Sequence, residues 1–291
     1  MTAGAAGRDP ERLPDQTGRT VVVTGGNAGI GFHIASQLAG AGARVVLASR
    51  SAERAHAAMD AIRARIPAAS LALVRLDLAS LGSIRTAASE LRALSRIDVL
   101  VHNAGRTDAV RQRQTTEDGL ELVVGTNAFG PFALTALAMP ALAHDGRVVW
   151  LGSLSTRLVR GETGDLQSEQ SYGASRAYGM SKHAVHAIGF ELDRRLRAAG
   201  RAQRSLVAHP GFAVDGRGFP LLMQSKERGA WPAVRAAVDP DAVGGSYWGP
   251  RLGLTGAPAL RHPVASSAAP AFGAEVWRLA EAATRIPFVL D

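Results

Sequence analysis

Two groups of residues in this sequence could do chemistry by virtue of type and spacing. The first is Tyr178-Gly179-Met180-Ser181-Lys182, which sets a phenol and an ammonium four residues apart. On a helix that spacing puts both on one face. A phenol with a pKa near ~10 is a poor base at neutral pH; a neighbouring cation stabilises the phenolate and moves the group toward the working range. The chain has three tyrosines and two lysines among 291 residues, so such a pair arises by chance in about 2% of chains of this composition. A weaker rival lies just upstream, Tyr172-Gly173-Ala174-Ser175-Arg176, whose cation is an arginine. Tyr178 is preferred because an amphipathic segment, His183 to Leu196, continues its helix.

The second group is Thr24-Gly25-Gly26-Asn27-Ala28-Gly29-Ile30-Gly31, which follows the β-branched run Thr20-Val21-Val22-Val23. Gly25 permits a tight turn, Gly29 lets backbone approach a pyrophosphate, and Gly31 allows a helix to pack closely on the strand. The helix that follows offers unpaired N–H groups and a partial positive charge to phosphates. A glycine turn alone is weak, since glycine supplies 32 residues, and its place between a strand and a helix gives it weight. At the end of the next strand an acid would bond an adenosine 2′-hydroxyl. Leu47-Ala48-Ser49-Arg50 instead offers the cationic fork of Arg50, with Ser49 beside it, to a 2′-phosphate. NADP(H) is therefore expected over NAD(H).

The elements that must position these groups alternate. Strands are predicted at Thr20–Thr24, Arg44–Ala48, Leu71–Leu76, Val99–His102, Arg147–Leu151 and Ser205–Ala208. Helices are predicted near Ile30–Ala41, Ala52–Ile66, Leu81–Leu94, Gly119–Leu142 and Arg176–Ala199. Alternation of this kind builds an α/β fold, a doubly wound parallel sheet covered on both faces by right-handed crossovers. Residues 1–17, small and polar, read as a flexible tail and 18–291 as a single domain, with a substrate lid at about 212–240. The lid would use Phe219-Pro220-Leu221-Leu222-Met223 and Trp231. No unbroken apolar run approaches the ~18 residues of a membrane span, and with no export signal the expected compartment is the cytoplasm. The chain has no cysteine, which excludes disulfides and thiolate chemistry. The net charge of +8 comes from scattered arginines without interleaved aromatics, which argues against nucleic acid as partner. No His/Asp/Glu cluster has metal-ligand spacing, so no metal is expected.

Taken in order, the Gly25–Gly31 turn, Asn103-Ala104-Gly105, Asn127, Ser153, the Tyr178/Lys182 pair and Pro210-Gly211 resemble the short-chain dehydrogenase/reductase (SDR) superfamily over residues 19–290. Asp118-Gly119-Leu120-Glu121, Asn127-Ala128-Phe129-Gly130-Pro131-Phe132 and His209-Pro210-Gly211 are most similar to its retinol-dehydrogenase and WW-domain-oxidoreductase branch. The resemblance implies a Rossmann fold and an oxidoreductase moving a hydride between nicotinamide and a lipophilic ketone or aldehyde or its alcohol. Tyr178 would be the acid/base, Lys182 would hold the nicotinamide ribose, Ser153 would orient the substrate oxygen, and Asn127 would fix a relay water. Gly25, Asn27, Gly29, Ile30, Gly31, Ser49, Arg50, Asp77, Leu78, Asn103, Ala104, Gly105, Pro210 and Gly211 would line the cofactor's path. Pairing through Gly119–Leu142 and Arg176–Ala199 would make a homodimer or homotetramer. A catalytically silent NADP-binding regulator is the alternative, against which the intact Asn127, Ser153, Tyr178 and Lys182 argue.

Two positions depart from the family pattern. Gly152 stands where a serine is usual, and Asp215 stands where a threonine commonly bonds the nicotinamide carboxamide. A carboxylate there adds negative charge beside a polyanionic cofactor.

Overall fold

The computed structural model describes residues 12–107, 111–215 and 222–290. Runs of valine, leucine and isoleucine, stiff at χ1 and suited to a pleated surface, form β1 (Thr20–Thr24), β2 (Arg44–Ser49), β3 (Leu71–Arg75), β4 (Ile97–His102), β5 (Leu142–Leu151) and β6 (Arg204–Ala208). Between them run α1 (Gly29–Gly40), α2 (Ala52–Arg65), α3 (Leu81–Arg92), α4 (Leu122–Val124), α5 (Gly130–Ala138) and α6 (Ala174–Ala198). Beyond β6 come β7 (Ala213–Val214), β8 (Gln224–Ser225), α7 (Lys226–Val238), β9 (Tyr247–Pro250), β10 (Pro258–Arg261), α8 (Ala265–Ala268) and α9 (Pro270–Thr284). The large sheet has the order β10-β9-β6-β5-β4-β1-β2-β3. It is parallel throughout except for β10, which runs antiparallel to β9.

Alternate residues of each strand feed opposite faces. Val22, Val46, Leu100, Val148, Trp150 and Val207 join the core under α3, α5, α6 and α9. Val21, Val45, Val99, Val149 and Leu206 join the core under α1, α2 and α7. The strand order reverses between β1 and β4, and a doubly wound sheet opens its ligand crevice at that point, beyond the carboxyl ends of the strands.

Several expectations are corrected. The helix expected over Gly119–Leu142 is broken: the Glu121 carboxylate caps α4 by accepting from the N–H groups of Val123 and Val124, Gly125–Phe129 is a π-helical turn, and Leu142 already belongs to β5. The segment Leu122–Ala141 is long and apolar enough by composition to cross a membrane, but most of it is buried inside the fold; the sequence reading counted only unbroken apolar runs. The tail expected to reach residue 17 is tied down within its last residues, where buried Gln16 donates its N–H to Ala41 O at 2.7 Å and Arg235 donates to Arg12 O. The second half of the expected lid is α7, an internal layer whose Ala230, Ala233, Val234 and Ala237 recur at helical spacing and are fully buried. Trp231 accordingly lines a groove with Gln37, Gly40 and Ala41 at the C-terminal end of α1, the end away from the glycine turn. Phe219, Pro220 and Leu221 lie outside the described residues. The strands β9 and β10 were not foreseen.

Candidate active site and cofactor cleft

A cavity of about 480 Å³ opens at the carboxyl ends of β1 to β4. Its walls include Gly25, Asn27, Ser49, Arg50, Asp77, Leu78, Asn103, Ala104 and Gly105 of the expected path. The glycine turn is built as its spacing demands. Gly25 has φ +66° and Gly29 φ +57°, both in the left-handed region. A Cβ on Gly31 would lie 2.3 Å from both Asn103 Nδ2 and Gly25 O, so no other residue fits there. Thr24 Oγ1 accepts from the N–H groups of Asn103 and Ala104, each at 3.0 Å, and Asn103 Nδ2 donates to Thr24 O at 3.0 Å. These bonds hold the residues after β4 against the turn. Helix α1 has Ala28 as its N-cap, with no side-chain cap and no acid in its first turn, whereas Ser51 and Ser80 cap α2 and α3. Its terminal N–H groups and dipole face the cleft without an internal acceptor, and that donor set fits a pyrophosphate.

At the adenosine end, Arg50 is 63% exposed and its Nη1 lies 3.8 Å from Asp77 Oδ2. Arg54, which sequence reasoning missed, lines the same wall; its i+4 spacing from Arg50 on the first turn of α2 was the available signal. Ser49 is buried and its hydroxyl donates to Asn27 Oδ1 at 2.9 Å, so it fixes the turn's asparagine. Pro210 and Gly211 do not line the cavity. Gly211, at φ +67°, packs so tightly that a Cβ would meet Leu254 O at 2.2 Å, and Pro210 O accepts from Gln224 Nε2. Gly29, Ile30 and Gly31, at the start of α1 next to the lining residue Ala28, are not themselves among the residues that line the cavity.

The reactive side chains meet where β5 ends and α6 begins. Ser153 follows β5, and its Oγ accepts from Ser155 N at 3.1 Å. The Ser153 side chain lies near enough to the Tyr178 hydroxyl to pull the phenol downward in pKa. Lys182 is buried and its Nζ donates to Leu151 O at 2.8 Å, 6.0 Å from the centre of the Tyr178 ring. Tyr172 precedes α6 and Arg176 is paired with Glu162, so the rival constellation does not form. The Asn127 amide is engaged on both sides: Oδ1 accepts from Arg106 N at 2.7 Å, while Nδ2 donates to Arg106 O and to Ser181 Oγ. Ser181, another residue not foreseen, thus joins α6 to the π-helical turn, the kind of irregularity often found at functional sites. A Cβ on Gly105 would lie 3.0 Å from Asn127 Oδ1 and 3.8 Å from Lys182 Nζ, so the cofactor path and the reactive cluster converge there.

Electrostatics correct one expectation. Burial raises the Tyr178 phenol above its ordinary value, and the Ser153 side chain only partly opposes this. Burial lowers the Lys182 ammonium to about 8. Lys182 is directed to the Leu151 carbonyl and does not offset the effect of burial on Tyr178. Among the described residues no group of three or more His, Asp and Glu side chains is placed to hold a metal.

The order of strands, the uncapped phosphate turn and the Ser153/Tyr178/Lys182 cluster at one crevice define a doubly wound α/β protein of the nicotinamide-dependent oxidoreductase type. The short chain dehydrogenase family model matches residues 19–202, and the chain belongs to that family, in its retinol-dehydrogenase-like branch. It is 37% identical to polyprenol dehydrogenase of Mus musculus over 82% of this chain and 77% of that protein. Its identity to retinol dehydrogenase 13 of Homo sapiens is 35%, over 79% and 76%. A crystal structure of an uncharacterized protein from Mycobacterium Paratuberculosis superposes with a TM-score of 0.85 at 36% identity, covering 98% of this chain and all of that one. The Pseudomonas aeruginosa RhlG/NADP active-site complex superposes at 0.64 with 26% identity over 81% and 95%.

Proposed function

We propose that the chain is an NADP(H)-dependent oxidoreductase acting between a lipophilic ketone or aldehyde and the corresponding alcohol, with Tyr178 as its acid/base. The observation that carries this reading is the Tyr178 ring 6.0 Å from the buried Lys182 ammonium, with the Ser153 side chain beside the phenol, at the mouth of the dinucleotide cleft. Because burial holds the phenol above its ordinary value, Tyr178 carries its proton at neutral pH. That form donates to a carbonyl oxygen, so resting protonation suits reduction. Ser153 orients the same oxygen from the other side. Lys182 spends one N–H on Leu151 O and keeps two for ribose hydroxyls. When bound, the nicotinamide supplies or takes the hydride.

NADP is supported over NAD by Arg50 and Arg54 on the adenosine wall, where β2 ends without an acid. The Arg50–Asp77 pair is long and exposed, so it holds Arg50 only weakly. The NADP in the RhlG complex points the same way. A lipophilic substrate is supported by the alcohols named in the relatives, polyprenol and retinol, and by the exposed side chains of Phe212 and Leu222 on the segment after β6.

The test is to mix the purified protein with NADPH and a panel of lipophilic ketones and aldehydes and follow the absorbance of the reduced nicotinamide. Turnover is expected, and Tyr178→Phe should lower it by about 10²–10⁴-fold while NADPH still binds. Binding without turnover of any panel member would favour the silent regulator instead.

A further inference from the structure

One charged pair at the cleft remains unassigned. In the short parallel ladder Val214 is opposite Ser225, so the residues that follow, Asp215 and Lys226, come side by side, and Lys226 Nζ donates to Asp215 Oδ2 at 2.7 Å. The ladder is itself anchored: Gln224 N donates to Phe212 O, and Gln224 Nε2 donates to Pro210 O. Lys226 is also the first residue of α7, which packs along α1, and Gln37 Nε2 donates to Glu227 O at 3.1 Å. That packing lays the lysine over the phosphate turn. A Cβ on Gly29 would lie 3.9 Å from Lys226 Cδ and 4.0 Å from its Nζ. All but two of the 33 lysines and arginines are arginine; the two lysines stand close to Gly105 (Lys182) and to Gly29 (Lys226).

From these contacts, and resting on the dinucleotide reading above, we infer that Lys226 is an anion-binding residue for the cofactor's pyrophosphate, held in reserve by Asp215. Gly29 opens α1, whose first N–H groups have no side-chain acceptor, so a phosphate received there comes within reach of Nζ. Asp215 is 86% exposed and Lys226 30%. An ion pair that open to water is weak and salt-screened, whereas a diphosphate bound at a helix N-terminus brings two charges and several acceptor oxygens. Exchange of the carboxylate for phosphate is therefore favoured, and it leaves Asp215 turned to solvent. His33 feels the Lys226 charge together with those of Glu227 and Arg65, and among the described residues the Lys226 ammonium is hydrogen-bonded to Asp215. The aspartate at the usual threonine position thus has a role: it competes with the cofactor for Lys226.

The test titrates NADPH, NADH and adenosine 2′-phosphate into the wild type, Lys226→Ala, Asp215→Asn and the double variant, following fluorescence or heat of binding, with thermal melting as the check on folding. Lys226→Ala should weaken NADPH and NADH by the same factor, about tenfold, and leave adenosine 2′-phosphate unchanged, because only the dinucleotides carry the pyrophosphate. Asp215→Asn should tighten both dinucleotides about threefold, and this gain should vanish when Lys226 is absent. Unchanged affinity in Lys226→Ala, or weakening in Asp215→Asn, would overturn the inference and leave the pair a strap between β7 and α7. A wild type that binds neither dinucleotide would instead overturn the cofactor reading itself.

Discussion

At the scale of single residues, the departures from the family pattern are answered by neighbours that lie far away in sequence. Gly152 occupies a position at which a serine is usual, and its surroundings supply the reason: a Cβ there would lie 2.0 Å from His186 Nε2 and 2.6 Å from its Cδ2. His186 is fully buried in α6 and cannot swing aside. Gly249 is fitted to His209 in the same way, at 2.0 Å. Gly152→Ser is therefore expected to destabilise the protein by about 1–3 kcal/mol through overpacking. Combined with His186→Ala, it should cost less than the sum of the two single changes. Urea midpoints of the four proteins decide it, and strict additivity would mean that the ring does not hold the position to glycine. Legibility at this scale divides cleanly. Tyr178, Lys182, Asn103 and the glycines could be read because their spacing carries the chemistry. Ser181 and the histidine behind Gly152 could not, because their contacts, to Asn127 and to Gly152, lie far off in sequence and leave no local spacing.

At the scale of elements, what could be read were strands buried on both faces and helices with an apolar stripe. β1, β2 and β4 lie within two residues of the sequence expectation, since runs such as Val21-Val22-Val23 and Val99-Leu100-Val101 admit little else. β9 escaped because Tyr247-Trp248-Gly249-Pro250 contains the two residues least suited to a strand, and it is held at the sheet margin by pairing with β6 and β10. The π-helical turn escaped because nothing local marks it; Gly130, just after it, packs so tightly on Leu78 that a Cβ would lie 2.3 Å from Leu78 O. Helix α9 bears on assembly. It packs on α6 and α5, with Trp277 against Phe132 and Phe288 and under the Arg195 guanidinium. Family resemblance implies pairing between chains through these same two helices, yet Ala184, Ala187, Ile188 and Leu192 of α6 are already buried within one chain. Stacking a second copy on that face would require displacing α9. Light scattering on the eluted protein is thus expected to give the mass of one chain. A stable dimer whose formation buries α5 and α6 would refute the covering role of α9.

At the scale of the whole molecule, the layer under α6 carries several histidines that folding keeps neutral. His102, His183, His186 and His209 are all buried. Burial lowers His102 to about 3 and His209 to about 4, and lowers His183 and His186 as well. The tautomer of His102 follows from its bonds. Thr135 Oγ1 donates to Pro131 O, so at 2.6 Å it accepts from His102 Nε2, which leaves Nδ1 bare and without a partner. Protonating Nδ1 would place a cation in the core with nothing to receive it. In the unfolded chain each ring takes a proton near ~6.5. Between about pH 6.5 and 4 the unfolded state therefore binds more protons than the folded one, and stability falls as pH falls, by about 1.4 kcal/mol per unit for each such histidine. The net charge of +8 adds self-repulsion as carboxylates protonate. High salt screens that repulsion and leaves the cost of protonating buried imidazoles in place. Urea unfolding followed by tryptophan fluorescence between pH 7 and 5 in 1 M salt should still show a steep loss of stability. His102→Phe, which keeps a ring against Trp150, should reduce the slope by about 1.4 kcal/mol per unit. A slope abolished by salt, or unaltered by the substitution, would assign acid sensitivity to surface charge instead of to the histidine layer.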